Sequence, residues 1–380
     1  MKNKTLLVLL PILSVALTSC GQVKRWDSHL EDYVFEMGYH AKFNILQLTD
    51  IHWNANSSTT ASKTYLKKVL EESDKHIKAT QGENAHIDLV ELTGDMFMLA
   101  NAYHVNTFVD FFEKEAKEYN FKYTVLWGNH DRHGLYNPNW LSRKFVKAKN
   151  CIYLEPNDNL YGRSNFVINL TEGTNVKWQI ANLDSGASFS ETAVSPFKDY
   201  DYIRKDQTQW WVAEHEKVGE AVPAIAYYHI PQDENLDAWN ARTTLAKHKF
   251  FKLEEFADNG TPEGKSDFID VAKGHNLKAA FMGHAHNVDW TAEYQGVVIG
   301  LGVKTGTELY FAHIDPKTTD EAMKEGLESV KDQLVNFKDK NFDLIGASLV
   351  TLNDELGNFD LEHVYLNEKG SGYLADWVKW

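Results

Sequence analysis

The sequence predicts an α/β fold in which helices flank a mixed β-sheet. Over residues 43–127, short apolar runs alternate with segments of helical spacing, the pattern of β-α-β units with parallel strands. Near residue 173, two apolar runs are separated by a short glycine-containing turn, which indicates an antiparallel pair. Two later apolar runs each end at a histidine. Parallel and antiparallel strands are therefore expected in the same molecule.

The elements follow in chain order. Apolar runs predict strands over residues 43–48, 87–92 and 123–127, and helical spacing predicts helices over 62–76 and 106–118. Strands over 165–170 and 176–183 are joined by the turn 172–175. A helix over 206–218 precedes strands over 224–228 and 277–282.

Two segments do not fit this alternation. Residues 232–274 are polar and contain glycine, which predicts an excursion over the surface. Residues 318–339 combine helical spacing with dense charge, which favours a solvated amphipathic helix packed on the sheet over a partner-binding helix. The expected organisation is a signal peptide over 1–19, a tether over 20–41 and one domain over 42–380 with insertions at 232–274 and 318–339.

The N-terminus predicts export. A charged start and the apolar stretch 6–17 lead to Leu17-Thr18-Ser19-Cys20, as in a secretory signal, and the stretch is too short for a spanning helix. The last four residues resemble a bacterial lipobox, which implies that Cys20 is lipidated and anchors the protein to a membrane, facing outside the cytoplasm. The alternative is an ordinary signal peptide that contains a cysteine.

Composition limits the function classes. Cys151 is the only other cysteine, so the mature chain cannot build a disulfide framework once Cys20 carries lipid. The formal net charge is −15, and loss of residues 1–19 removes Lys2 and Lys4 but no acid, giving −17. This charge disfavours nucleic acid as a substrate. A small phosphate ester is still possible, because bound cations reverse the charge locally.

Five short motifs together predict a two-metal hydrolytic site. A single histidine of this kind is more often solvated or structural, but carboxylate, amide and imidazole donors together suit Mn, Fe or Zn. Several of the motifs follow apolar runs, at strand ends where α/β folds place their chemistry. The motifs are Asp50-Ile51-His52, Gly94-Asp95, Gly128-Asn129-His130-Asp131, His229 and Gly283-His284-Ala285-His286.

The order and residue identities of these motifs resemble the signature of the calcineurin-like metallophosphoesterase superfamily. The resemblance extends over about residues 42–306 and returns weakly at 346–350. Residues 43–52, 127–131, 183–186, 202–210 and 228–231 are similar to the branch of purple acid phosphatase-like proteins. One position departs from true purple acid phosphatases: Met98 stands where they have a tyrosine that ligates ferric iron.

The resemblance implies a four-layer α/β/β/α sandwich of two mixed sheets. It also implies two divalent or trivalent metal ions, the first held by Asp50, His52 and His286 and the second by Asn129, His229 and His284. Asp95 would bridge the two ions. His130 would act on the leaving group, with Asp131 orienting its ring; the alternatives are a structural histidine and a loop-capping carboxylate.

Two functions remain open. The first is a membrane-anchored phosphoesterase that acts on small phosphate esters outside the cytoplasm, either monoesters or diesters. The second is a non-catalytic, metal-containing binding lipoprotein. The intact loop from Gly128 to Asp131 favours the enzyme.

Three further residues also carry open alternatives. Trp53 either lines a substrate pocket or packs in the core, Arg132 either reaches a phosphate or is solvated, and Asp184 either orients a ligand or caps a turn.

Overall fold

The computed structural model describes most of the chain from residue 34 onward. The described residues are 24–25, 34–53, 59–132, 136–154, 160–187, 200–241, 266–286, 290–306, 345–353, 355, 357–369 and 372–379. The predicted signal peptide, Cys20, the predicted helix 318–339 and residues 242–265 of the predicted excursion lie outside this set. Within it, no helix combines the length and apolar character needed to cross a bilayer.

The described residues form fifteen strands and six α-helices. The strands are β1 (Lys24–Arg25), β2 (Val34–Gly38), β3 (Lys42–Leu48), β4 (Leu89–Thr93), β5 (Lys122–Leu126), β6 (Cys151–Ile152), β7 (Phe166–Glu172), β8 (Asn175–Asn182), β9 (Ala224–Tyr228), β10 (Leu277–Met282), β11 (Thr291–Tyr294), β12 (Val297–Leu301), β13 (Ile345–Asn353), β14 (Phe359–Lys369) and β15 (Gly372–Lys379). The helices are α1 (Thr59–Gln81), α2 (Ala102–Tyr119), α3 (Pro138–Phe145), α4 (Lys205–Val218), α5 (Asp233–Ala241) and α6 (Phe268–Ala272).

The strands form two mixed sheets. One has the order β1-β2-β7-β8-β9-β10-β12-β11, and the other has the order β15-β14-β13-β3-β4-β5-β6. In the first sheet β8, β9, β10 and β12 are parallel neighbours, and in the second β3 to β6 are parallel. Antiparallel strands complete both sheets, as the predicted β7–β8 hairpin does.

The two sheets pack face to face because successive residues of a strand point to opposite faces. In β9, Ile225 and Tyr227 join the core shared with the second sheet. Ala226 and Tyr228 face the other way and join a separate core with residues of α4, α5 and α6. Helices α1 and α2 contact the second sheet on its outer side. The layers are thus helix, sheet, sheet and helix, which confirms the predicted four-layer sandwich.

The sequence analysis missed several elements. Residues 34–38, assigned to a tether, form β2, which pairs in parallel with β7 and belongs to the sandwich. The predicted excursion over 232–274 starts with α5 and contains α6 near its end. Both helices bury apolar residues against the first sheet, among them Ala238 and Phe268, so tertiary packing stabilises segments whose composition predicted a surface loop.

Candidate metal centre

The five motifs meet at one edge of the sandwich, beyond the carboxyl ends of parallel strands. Asp50 follows β3, Asp95 follows β4 and Asn129 follows β5 in one sheet. His229 follows β9 and His284 follows β10 in the other. Because the two sheets are stacked, these turns lie next to each other, and the structure brings together all the residues predicted as ligands.

Strained turns aim several of these side chains. Asp50, His52, Asp95 and His284 have φ angles of 51°, 45°, 51° and 71°, in the left-handed region that non-glycine residues rarely adopt. Such a conformation costs about 1–3 kcal/mol per residue and persists only where the surroundings enforce it. The turns hold each other: the amides of Asp50 and His52 donate to the carbonyl oxygens of Gly94 and Asp95, at 3.1 and 3.0 Å.

Two glycines allow the donors to approach closely. A Cβ atom on Gly94 would lie 2.3 Å from Nδ1 of His229, and one on Gly128 would lie 2.2 Å from Oδ1 of Asp95. Both distances are well inside van der Waals contact. The glycines of the Gly-Asp and Gly-Asn-His-Asp motifs are therefore required by packing at the site.

The first cluster consists of Asp50, His52, Asp95 and His286, each with a donor atom within 4.8 Å of the others. Nε2 of His286 lies 3.2 Å from Nε2 of His52 and 3.2 Å from Oδ1 of Asp50. These atoms converge on one point, as the ligands of a single ion do.

The second cluster consists of Asp95, His229 and His284, with Asn129 between the two histidines. The amide oxygen of Asn129 lies 3.1 Å from Nε2 of His229 and 3.0 Å from Nδ1 of His284. The neutral amide adds a donor without adding negative charge.

Asp95 belongs to both clusters and is fully buried. Its Oδ1 lies 3.4 Å from Nε2 of His229, while its Oδ2 lies 3.7 Å from Nε2 of His52. The backbone amide of His130 donates to Oδ1 at 2.8 Å and fixes the carboxylate. One carboxylate thus presents an oxygen to each cluster.

A further set of hydrogen bonds orients the donors. Nδ1–H of His229 donates to the carbonyl oxygen of Thr93 at 2.8 Å, which leaves the lone pair on Nε2 facing the site. Oδ2 of Asp50 accepts from the hydroxyl of Thr49 at 2.8 Å and from the amide of His284 at 3.0 Å. Sequence reasoning missed these threonines, since a buried threonine next to a motif has no signal of its own.

The donor set fits two metal ions. Metal–nitrogen and metal–oxygen bonds of about 2.0–2.2 Å place neighbouring ligand atoms roughly 3.0–3.5 Å apart. The observed separations of 3.0, 3.1 and 3.2 Å between donors are of this size. Oδ1 of Asn129 faces ring nitrogens of both His229 and His284, an arrangement that a cation bound among these three atoms would stabilise.

The electrostatics of the site also favour cations. Burial opposes the charge of Asp50, yet the charge and hydrogen bond of His286 lower its pKa to about 2. Burial likewise opposes the charge of His229, but Asp95 raises its pKa to about 9. Burial and the charge of His229 lower the pKa of His284 to about 3, which keeps that imidazole neutral and able to bind a metal.

The structure separates the predicted roles of His130 and Asp131. The half-buried ring of His130 lies 4.9 Å from the ring of His52 between centroids. Asp131 is fully buried, and its two oxygens accept from the amides of Phe97 and Gly128, both at 2.9 Å. These contacts are the ones expected of the loop-capping alternative, and the orienting role stays a prediction.

The three residues with open alternatives lie near the site. Trp53 is fully buried against Phe108 and Phe111, so it packs in the core. Arg132 forms an ion pair with Asp184. Asp184 is buried and also accepts from the amide of Gly186 at 2.9 Å. It therefore caps a turn and holds the guanidinium of Arg132 in place.

The fold and site therefore define a dinuclear metal-dependent hydrolase, and a family model identifies its class. The model for calcineurin-like phosphoesterase matches residues 43–288. The chain belongs to this family, and with it to the hydrolases of phosphate esters.

Similar solved structures are distant in sequence. A dimetal phosphatase from Danio rerio is 10% identical, with 89% of this chain and 98% of that chain covered and a TM-score of 0.47. A candidate 5′-nucleotidase from Staphylococcus aureus is 9% identical, with 89% and 54% covered and a TM-score of 0.41. Vps29 from Chaetomium thermophilum is 9% identical, with 90% and 97% covered and a TM-score of 0.33. No curated protein sequence matches the chain.

Proposed function

We propose that this protein hydrolyses small phosphate esters through a metal-activated water, outside the cytoplasm and anchored to a membrane by lipid on Cys20. The observation that carries the hydrolytic proposal is Asp95, whose two oxygens face two separate histidine clusters. This arrangement is the one expected of a carboxylate that bridges two ions.

Seven side chains take the ligand roles. Asp50, His52 and His286 would hold one ion, Asn129, His229 and His284 would hold the other, and Asp95 would contact both. Two bound cations supply a water of lowered pKa and neutralise charge on the phosphoryl oxygens. The hydroxyl of Thr49 donates to Asp50, and the carbonyl oxygen of Thr93 accepts from His229, so both side chains are held in their orientations before substrate arrives.

His130 holds the proton that the leaving oxygen needs. Its backbone is fixed by the bond from its amide to Asp95, while its ring stands half exposed beside His52, where an ester can reach it. Asp131 positions the loop by accepting from the amides of Phe97 and Gly128. His130 is thus a catalytic residue and Asp131 a positioning residue.

The resemblance to purple acid phosphatase-like proteins extends to the metal chemistry with one difference. Met98 cannot supply a phenolate, so an iron-loaded sample should lack the strong visible charge-transfer band of a tyrosine–Fe(III) site. An absorption spectrum of the iron-loaded protein tests this, and a strong band would contradict the ligand set.

Metal analysis joined to a substrate screen tests the proposed function. The purified protein, loaded in turn with Mn, Fe or Zn, should bind two ions per chain and hydrolyse at least one phosphate monoester or diester. Two bound ions without turnover of monoesters, diesters or pyrophosphate would instead support the non-catalytic binding lipoprotein.

A further inference from the structure

Three tyrosines and one arginine lie beside the second metal cluster. The group, here named the aromatic wall, consists of Tyr161, Tyr200, Tyr202 and Arg204. None of these residues belongs to the five motifs. Tyr161 is 39% exposed, whereas Tyr200 and Tyr202 are 9% and 8% exposed.

One end of the aromatic wall touches a proposed metal ligand. The ring of Tyr200 meets the ring of His284 edge to face, with 4.3 Å between centroids and an interplanar angle of 78°. Four residues of fully extended chain span at most about 14 Å. The Cα atoms of Tyr200 and Arg204 are therefore no more than about 14 Å apart. A group attached to a phosphate bound at the second cluster can extend over this distance and lie on the wall.

A second link joins the aromatic wall to the catalytic loop. Asp184 forms an ion pair with Arg132, which ends the turn His130–Arg132. The other oxygen of Asp184 accepts from the amide of Arg163, two residues after Tyr161. The wall is thus linked through Asp184 and Arg132 to the turn that carries His130.

Internal contacts make the aromatic wall rigid. The hydroxyl of Tyr161 donates to Asp201, and Asp201 forms an ion pair with Arg204 at 2.7 Å. The guanidinium carbon of Arg204 lies 4.9 Å from the ring centroid of Tyr161 and 4.1 Å from that of Tyr202. A surface that is ordered before binding loses little conformational entropy when a ligand arrives.

The charges of this region exclude a second phosphate group as its ligand. Arg132 is paired with Asp184 and Arg204 with Asp201, so each guanidinium already has a carboxylate partner that a phosphate group would have to displace. Burial and the hydrogen bond to Asp201 raise the pKa of Tyr161 to about 12, which keeps its phenol neutral. The wall thus offers a partly exposed ring and a stacked guanidinium edge, which suit a flat, uncharged aromatic group.

We propose that the aromatic wall binds the leaving group of the phosphate ester and selects esters whose leaving group carries an aromatic ring, either an aryl group or a nucleobase. This inference rests on the proposed hydrolytic function of the adjacent metal centre. Tyr161 is assigned as the main substrate-binding residue of the wall because it is its most exposed ring.

The test compares benzyl phosphate with cyclohexylmethyl phosphate. The two leaving alcohols are similar in size and acidity, so the ratio of their kcat/KM values reports ring recognition and not leaving-group chemistry. We expect the wild-type protein to favour benzyl phosphate about three- to tenfold, the usual effect of one aromatic contact. A ratio near one would overturn the inference while leaving phosphoesterase activity intact.

Three variants locate the effect. Tyr161→Ala should bring the ratio close to one, whereas Tyr161→Phe keeps the ring and should keep the preference. Tyr294→Ala is the matched control, because Tyr294 is a half-buried tyrosine at the end of β11, paired with the first residue of β12. Equal preference in wild type and Tyr161→Ala would show that the wall does not contact the leaving group.

A binding measurement separates this inference from the proposed function. Calorimetry of the metal-loaded protein should show tighter binding of benzylphosphonate than of cyclohexylmethylphosphonate, even where no ester turns over. Equal affinity for the two phosphonates would contradict ring binding by the aromatic wall. Tighter binding of benzylphosphonate without hydrolysis of any ester would contradict only the proposed phosphoesterase activity. Tyrosine phosphate and adenosine monophosphate, compared with glycerol phosphate, then distinguish an aryl group from a nucleobase.

Discussion

Single residues decide how many metals the site can hold. Asp50, His52 and His286 each belong to one cluster, whereas Asp95 contributes an oxygen to each. Asp95 is fully buried, so water cannot solvate its carboxylate in place of a missing ion. Substitution of Asp95 should therefore reduce metal binding at both clusters, whereas substitution of one histidine should reduce it chiefly at one.

Asp95→Ala should lose metal from both positions and abolish hydrolysis, because among the described residues only Asp95 belongs to both clusters. His52→Ala should chiefly empty one position. Metal content per chain, measured after dialysis, checks both results. Asp360→Asn, a change at an ion-paired residue of β14, is the control and should keep both ions. Retention of two ions in Asp95→Ala would contradict the bridging role.

His130→Ala should keep two metals and a folded domain but lose about 10²–10⁴ in rate for esters with poor leaving groups, the usual range for general-acid assistance. Good leaving groups need little protonation, so the loss should grow with the pKa of the leaving alcohol. Steady-state rates over a series of esters measure this slope. Equal losses across the series would mean that His130 positions the phosphoryl group.

Asp131→Asn should lower stability by about 1–3 kcal/mol, because one of two buried amide donors loses its acceptor. Its loss of rate should not depend on the leaving group, since the carboxylate holds the loop and not the His130 ring. Urea unfolding and the same ester series measure the two effects. A leaving-group dependence like that of His130→Ala would restore the orienting role.

At the scale of elements, the turns after the strands do most to build the site. β3, β4 and β10 are each followed by left-handed residues, and these turns interlock through backbone hydrogen bonds. Gly94 and Gly128 leave room for His229 and Asp95, where a Cβ atom would lie 2.3 and 2.2 Å from their side chains. The site is thus sensitive to one methyl group in these turns.

Gly94→Ala should reduce metal binding and activity strongly. The added Cβ would lie 2.3 Å from the ring of His229, and the φ angle of +96° adds backbone strain. Gly82→Ala is the matched control, because Gly82 has a φ of +110° and no atom within 4 Å of an added Cβ. Both variants should lose some stability, but only Gly94→Ala should lose metal. Equal metal content in the two would show that the His229 contact is not critical.

At the scale of the molecule, the interior between the sheets contains an unusual acid. Glu91 on β4 is directly opposite Gln47 on β3 and Thr124 on β5, and it is fully buried. Neither carboxylate oxygen has a hydrogen-bond partner in the described structure. Burial raises the pKa of Glu91 well above its ordinary value of 4.5, so the folded protein keeps this group protonated.

Glu91→Gln should stabilise the fold increasingly as pH rises. The unfolded chain releases the proton of Glu91 near pH 4.5 and the folded chain does not, so wild-type stability falls as pH rises above that value. The free energies of unfolding at pH 5 and pH 8 measure the difference. Glu72→Gln, at a residue paired with Lys68 on α1, is the control. A benefit that does not change with pH would contradict a buried neutral acid.

The whole protein should associate with membranes when expressed at full length in a bacterial host. Cys20→Ser should block lipidation and release the protein, because acyl chains are the proposed anchor. Membrane fractionation and mass spectrometry of the mature N-terminus check this prediction. An unmodified N-terminal residue other than Cys20 would contradict it.

The sequence by itself predicted the side chains that cluster at the site and the strands that carry them. The strands β3, β4, β5, β9 and β10 are short, buried apolar runs, so local composition identifies them. Asp50, Asp95, Asn129, His229 and His284 follow directly, within spaced motifs. A pattern of this kind can be recognised without knowing which strands pair.

Only the tertiary structure decided the contacts between distant segments. It assigned both oxygens of Asp131 to backbone amides, made β2 from a supposed tether, and brought Tyr200 against His284. Phe97 and Asp131, β2 and β7, and Tyr200 and His284 are all far apart in the chain. No local propensity encodes such contacts, because they arise from the packing of two sheets and their turns against each other.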